Sequence, residues 1–175
     1  MICLQVPSVA DIQELGAQLA KTAQPGDLAL LNGPLGAGKT TMTQGIGSGL
    51  GITEKISSPT YVIAQIYDAE RLSLVHVDAY RLGSPEELDA LDLDTTMDVA
   101  LTVVEWGEGK VEGLAPARLE VEISRPVGAD ADLNPGELAA DASRTVRITG
   151  FGERGEAWEA DLAASEVVAR LQENK

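Results

Sequence analysis

Gly33, Gly38, Lys39 and Thr40 stand in "GPLGAGKT" at the spacing G-x-x-x-x-G-K-T, directly after the apolar run "LALLN" and directly before a helix-like stretch. Glycine lets successive backbone N–H groups point inward at an anion, and a helix N-terminus adds partial positive charge at the same place. The segment reads as a cradle for the phosphates of a nucleoside triphosphate. Lys39 is suited to neutralise the β- and γ-phosphate oxygens as a compact charge. The Thr40 hydroxyl is suited to a magnesium ion bridging them.

A magnesium nucleotide also needs a carboxylate near the loop, at the C-terminal end of a neighbouring strand. Two residues qualify: Asp78 ends "LSLVHV" and Glu105 ends "LTVV". Both fit a metal-holding or a water-positioning role, and their spacing does not rank them. His76 lies on the same strand face as Asp78 by alternation and reads as a core histidine rather than a catalyst. Trp106 follows Glu105 and reads as a residue beside the nucleotide in preference to one that closes the core. Thr60 in "SSPTY" sits in a hydroxyl-bearing loop of the kind that orders around a γ-phosphate, although the same composition fits a Pro-defined turn into a strand.

The elements that must position these residues follow from the pattern around them. "ICLQVPS" reads as a short strand, Ser8 as the N-cap of a helix over "VADIQELGAQLAKTA", and "LALLNG" as a strand buried on both faces. After the loop, "TTMTQGIGSGLGI" reads as a glycine-weakened helix ending near Gly51. Runs at Tyr61 to Tyr67 and Leu72 to Val77 form a hairpin. "SPEELDALDLDTTMD" opens a helix with a capping box from Ser84 to Glu87. "VALTVVEW", "RLEVEIS" and "RTVRITG" are further strands, residues 126–142 a flexible loop, and residues 156–173 a last helix. The order of elements predicts an α/β fold with an antiparallel extension.

The 175 residues fit one domain over 1–175. With 28 Asp+Glu against 13 Lys+Arg, the formal charge is −15, which repels phosphate backbones and acidic membrane surfaces. Direct nucleic-acid binding is therefore not expected. One cysteine forms no internal disulfide, no apolar run approaches the ~18 residues of a membrane span, and the N-terminal stretch lacks a signal-like pattern. The expectation is a cytoplasmic protein with no membrane partner.

"GPLGAGKTT", "SSPTYVIAQIY", "HVDAYRL" with "SPEELDAL", and "VVEWGE" together resemble, in order and spacing, the TsaE (YjeE) family of bacterial tRNA threonylcarbamoyladenosine biosynthesis ATPases. The resemblance covers most of Ala29 to Glu108. Pro34 and Gly107 depart from residues common there, an acid and a proline, and the tail after Arg125 is longer and less family-like. The resemblance implies a P-loop NTPase-like three-layer sandwich with a central, mostly parallel sheet and antiparallel extension strands. It implies an ATPase that converts ATP to ADP and phosphate for the formation of threonylcarbamoyladenosine beside the anticodon of tRNAs. The partners implied are a TsaB–TsaD heterodimer, with tRNA met only through them.

Carried onto matching positions, Lys39 and the amides of Leu35, Gly36, Ala37, Gly38, Lys39, Thr40 and Thr41 hold phosphates. Thr40 and Glu105 hold Mg2+, Asp78 supports hydrolysis, and Thr60 belongs to a switch-like loop. Val9 through its backbone, Trp106, Glu108 and Arg144 are further nucleotide contacts, Arg144 being equally readable as a surface arginine on an edge strand. Two other functions use the same cradle. A small-molecule or nucleotide kinase would bring an Arg-rich lid, which the scattered arginines do not supply. A nucleotide-dependent binding module would use Ser57 to Tyr61 as a docking surface, with hydrolysis incidental.

Overall fold

A computed structural model of the chain describes residues 1–91, 94–113, 115–125 and 143–173; the loop expected over 126–142 lies outside the described residues. The described strands form a seven-stranded sheet in the order β1-β7-β6-β2-β5-β4-β3. The strands are β1 (Ile2–Val6), β2 (Leu28–Asn32), β3 (Ala64–Tyr67), β4 (Leu74–Asp78), β5 (Leu101–Glu105), β6 (Arg118–Ser124) and β7 (Arg144–Phe151). β6, β2, β5 and β4 run parallel, and their residues are buried on both faces over β2, β4 and β5. Continuous apolar runs such as "LALL" and "LTVV" are what such strands require.

Antiparallel strands close the sheet on both sides rather than only late in the chain. β7 and β1 extend it beyond β6, while β3 returns along β4. The hairpin is shorter than its sequence suggests. Tyr61 to Ile63 belong to the preceding turn, because Val62 and Ile63 donate backbone N–H groups to Pro59 O at 3.1 and 2.7 Å.

Helix α1 (Val9–Thr22) is capped by Ser8, whose Oγ accepts the Asp11 N–H at 3.1 Å. Its buried stripe of Ile12, Leu15 and Leu19 packs beside α2 (Lys39–Leu50) over the large core. The glycines of α2 weaken it in isolation but permit this contact. A Cβ added at Gly45 would lie 2.1 Å from Gln13 O, so the two helices approach backbone to backbone only because no side chain stands there. A smaller core, with Leu28, Leu30, Val75, Val77 and Val104, fills the opposite sheet face. Alternation therefore turns Leu74, His76 and Asp78 toward the α2 side while Val75 and Val77 face the other way.

The helix opened by Ser84 is shorter than its pattern, α3 (Pro85–Asp89), followed by α4 (Asp94–Met97). The capping box forms in modified shape: Glu87 N–H reaches Ser84 Oγ at 3.4 Å, and the Glu87 carboxylate accepts from Gly83 N–H at 2.9 Å. The expected last helix over 156–173 is corrected in two respects. It starts earlier, as α5 (Gly152–Ala163), and breaks before α6 (Glu166–Glu173), where the Ser165 hydroxyl accepts the Val168 N–H at 3.3 Å. Serine at that position competes with helix continuation and caps a new one. Among the described residues, no helix is long and apolar enough to cross a membrane.

Candidate functional site

Four elements meet at the C-terminal ends of the parallel strands: the loop after β2, the first turn of α2, and the ends of β4 and β5. β4 and β5 pair in parallel with Asp78 opposite Glu105, so the two acids stand side by side. The loop reaches α2 through Gly38, which caps the helix at φ 118°, a conformation that side chains rarely adopt. There the chain turns its amides toward a cavity of about 760 Å3 whose walls include Leu35, Gly36, Lys39, Thr40 and Thr41. Asp78, Glu105, Thr60, Trp106, Val9 and Arg144 complete it, so most of the expected site residues share one space.

Lys39 is almost fully buried and its ammonium is folded back onto its own loop. Nζ donates to Gly33 O at 2.7 Å and Pro34 O at 2.9 Å, and it lies 3.8 Å from the centroid of the Trp106 ring. Burial lowers its pKa below the ordinary lysine value, while the Glu105 and Asp78 carboxylates act in the opposite sense. Trp106 is held with a positive φ of 60° just after β5, and its carbonyl accepts from Lys110 Nζ at 3.3 Å. Tyr80 meets its ring edge-on at 5.3 Å. A strained aromatic beside the phosphate loop is a feature that packing alone does not require.

The two acids have different partners. Glu105 receives the Thr40 hydroxyl at 3.1 and 3.3 Å and the His76 ring at 2.8 Å through Nε2. Asp78 receives the hydroxyls of Ser58 at 3.1 Å and Thr60 at 3.0 Å on one oxygen, and the Tyr80 N–H at 3.0 Å on the other. Thr40 and Glu105 fit a magnesium ion on this geometry. Two ligand oxygens about 3 Å apart match one edge of an octahedron with metal–oxygen bonds of ~2.1 Å. Among the described residues no group of three His, Cys, Asp or Glu side chains could hold a metal.

Ala37, Arg144 and Glu108 are placed as follows. Ala37 is a buried residue of the loop, and its carbonyl accepts from Arg144 Nε at 2.9 Å. Arg144 is accordingly no surface residue of an edge strand: it is 2% exposed, on a strand with neighbours on both sides, and braces the loop near Gly38. Burial and the nearby Arg125 lower its pKa from the ordinary arginine value. Glu108 lines a second cavity of about 940 Å3 beside Glu120, Glu122 and Arg147, with Trp106 lining both spaces.

Sequence reasoning left out His76, Ser58 and Tyr80. His76 was assigned to the core, and it is fully buried, but its ring is bonded to Glu105 across the β4–β5 register. Only that non-local register reveals the contact. Ser58, two residues before Thr60, and Tyr80, two after Asp78, carried a local signal: short polar reach to an acid that ends a strand.

The model of the family "Threonylcarbamoyl adenosine biosynthesis protein TsaE" matches residues 6–130. The chain belongs to the TsaE family. A TsaE protein of Streptomyces coelicolor is 49% identical over 146 residues, 82% of this chain and 93% of that protein. A TsaE protein of Bacillus subtilis is 38% identical, with 78% of each chain covered. The crystal structure of YdiB from Bacillus subtilis superposes with a TM-score of 0.71 at 30% identity, over 93% of both chains. The α/β architecture and mostly parallel sheet thus have a solved counterpart, and the TsaE match takes in β2, α2, β4 and β5, the elements that build the cavity.

Proposed function

We propose that this chain is a Mg2+-dependent ATPase acting in the formation of threonylcarbamoyladenosine beside the anticodon of tRNAs. The observation that carries this reading is the convergence of Lys39, Thr40, Glu105 and Asp78 on one cavity at the mouth of a glycine loop. The TsaE names of its relatives supply the biosynthetic context.

The triphosphate lies along the amides of Gly36 to Thr41, at the positive end of α2. Its charge draws the Lys39 ammonium away from the carbonyls of Gly33 and Pro34 and from the Trp106 ring. Thr40 and Glu105 would hold a magnesium ion, which when bound would supply charge neutralisation for the triphosphate. Asp78, fixed by Tyr80 N–H and by two loop hydroxyls, orients the attacking water. When the γ-phosphate occupies the space beside Thr60, the hydroxyl is drawn from Asp78, which links the SPTY loop to the nucleotide state. The partner is a TsaB–TsaD-type heterodimer that handles the tRNA, in keeping with a net charge of −15 on this chain.

Isothermal titration of Mg-ATP into the wild-type chain and Lys39→Ala tests the cradle. Removing a charge that pairs with buried phosphate is expected to weaken binding by about 100-fold or more; unchanged affinity would sink the assignment. Reconstitution of tRNA modification with the two partners, with and without this chain, tests the biology. Multiple-turnover modification running equally well without the chain would show that the role lies elsewhere.

A further inference from the structure

His76 is fully buried, sits on β4 two residues before Asp78, and aims Nε2 at Glu105 Oε1 across the strand pair at 2.8 Å. The other ring nitrogen, Nδ1, has no hydrogen-bond partner among the described residues. An ionised carboxylate only accepts, so a bond of this length makes Nε2 the donor. An apolar residue in its place would take one donor away from the buried Glu105 carboxylate.

Glu105 has two donors around it, the Thr40 hydroxyl and the His76 ring. A hydroxyl that gives a lone pair to a cation keeps its O–H for the carboxylate, so Thr40 is tied to the metal side of Glu105. His76 is the donor that holds the carboxylate without itself being a ligand. Its imidazole stands on a rigid inner strand, on the side of the carboxylate supplied by β4, whereas Thr40 approaches from α2.

We infer that His76 is a positioning residue: its Nε2–H holds the Glu105 carboxylate in the orientation that receives magnesium. This rests on the reading of Thr40 and Glu105 as the metal holders. Outer partners of this kind set metal affinity more than they set affinity for the rest of the ligand.

The test compares His76→Gln, whose amide nitrogen reaches about as far as Nε2, with His76→Asn, whose amide stops near the position of Nδ1. ATP binding is followed by isothermal titration in EDTA and across a MgCl2 series. His76→Asn should need about tenfold more Mg2+ for half of the metal-dependent gain in affinity, with affinity in EDTA within about twofold of wild type. His76→Gln should restore most of the Mg2+ response. An Asn variant with a wild-type Mg2+ response, or Asn and Gln equally impaired in EDTA, would overturn the inference. A wild-type chain whose ATP affinity does not respond to Mg2+ at all would instead remove the metal reading itself, and this inference with it.

His76 is the single histidine in the chain, so 15N-histidine labelling gives a readout that needs no substitution. The spectrum is expected to place the proton on Nε2, and that resonance should shift when ATP is added with Mg2+ but not when it is added in EDTA. A proton on Nδ1 with none on Nε2, or no shift with Mg2+, would overturn the inference whether or not the variants fold.

Discussion

Asp78 and Glu105 end neighbouring parallel strands in register with each other, yet they are gripped by different kinds of structure. Glu105 is held by a strand residue, His76, and by a hydroxyl on the first turn of α2. Asp78 is held by Ser58 and Thr60, which belong to an irregular stretch between α2 and β3. One carboxylate is anchored to the scaffold and the other to a loop. The difference agrees with the duties proposed above: a metal holder gains from a fixed position, whereas a group that senses or acts on a γ-phosphate gains from partners that can exchange it for the nucleotide.

The largest expected contrast comes from Asp78→Ala. Single-turnover phosphate release should fall by about 10²- to 10⁴-fold, the range for removing a group that positions or deprotonates the nucleophile. Mg-ATP affinity by titration should stay within a few-fold. An equal loss of binding and hydrolysis would erase the distinction between the two acids.

Glu105→Gln should do the converse. About 10- to 100-fold more Mg2+ should be needed to saturate the metal-dependent part of ATP binding, with affinity in EDTA nearly unchanged. If metal dependence instead followed Asp78 and survived at Glu105, the roles would be exchanged.

Thr60→Ala tests the loop side alone. Hydrogen bonds to a charged group contribute about 1.5–3 kcal/mol, so losing one of the two hydroxyls on Asp78 should slow hydrolysis by about tenfold and leave Mg2+ dependence as it was. Ser58→Ala should act similarly. The double variant should fall short of the product of the two, because both hydroxyls bond the same carboxylate oxygen and also each other at 2.8 Å.

What was legible in the sequence follows the range over which each contact acts. The loop from Gly33 to Thr40 is contiguous, so its composition and flanks identify it directly, and Asp78 and Glu105 are visible as acids that end apolar runs. Their spacing did not rank them, and only the family resemblance assigned Glu105 to the metal and Asp78 to hydrolysis; which side chains grip each acid depends on the sheet register and the approach of α2. For Arg144 the sequence left two readings open, a nucleotide contact and a surface arginine on an edge strand; only the pairing of β7 between β1 and β6, which buries it against Ala37, removes the second. The break at Ser165 was hidden within an amphipathic pattern that continues through both α5 and α6. There the local hydroxyl cap overrides the periodicity.

The smallest expected effect lies outside both clusters, at the cap of α1. Ser8 both accepts the Asp11 N–H and donates its hydroxyl to the Asp11 carboxylate, and this bond, reinforced by Arg170, holds the Asp11 pKa below the usual carboxylate range against the opposing effect of burial. Ser8→Ala should cost about 1 kcal/mol, a fall of about 2–4 °C in Tm for a chain of this size. A carboxylate whose folded pKa is depressed stabilises the fold above its unfolded pKa and loses that contribution as pH falls through the folded value. The Tm gap between wild type and Ser8→Ala should therefore be full at pH 7 and shrink as pH falls below the ordinary aspartate pKa of the unfolded chain toward the lowered folded value. Because Ser8 has no hydrogen bond to either acid or to their side-chain partners, Mg2+ dependence and hydrolysis at pH 7 should both stay near wild type. A Ser8→Ala chain that lost Mg2+ response would show the scaffold around Glu105 to be less rigid than its burial implies. Loss of hydrolysis alone would place Asp78 under the control of the same helix pair.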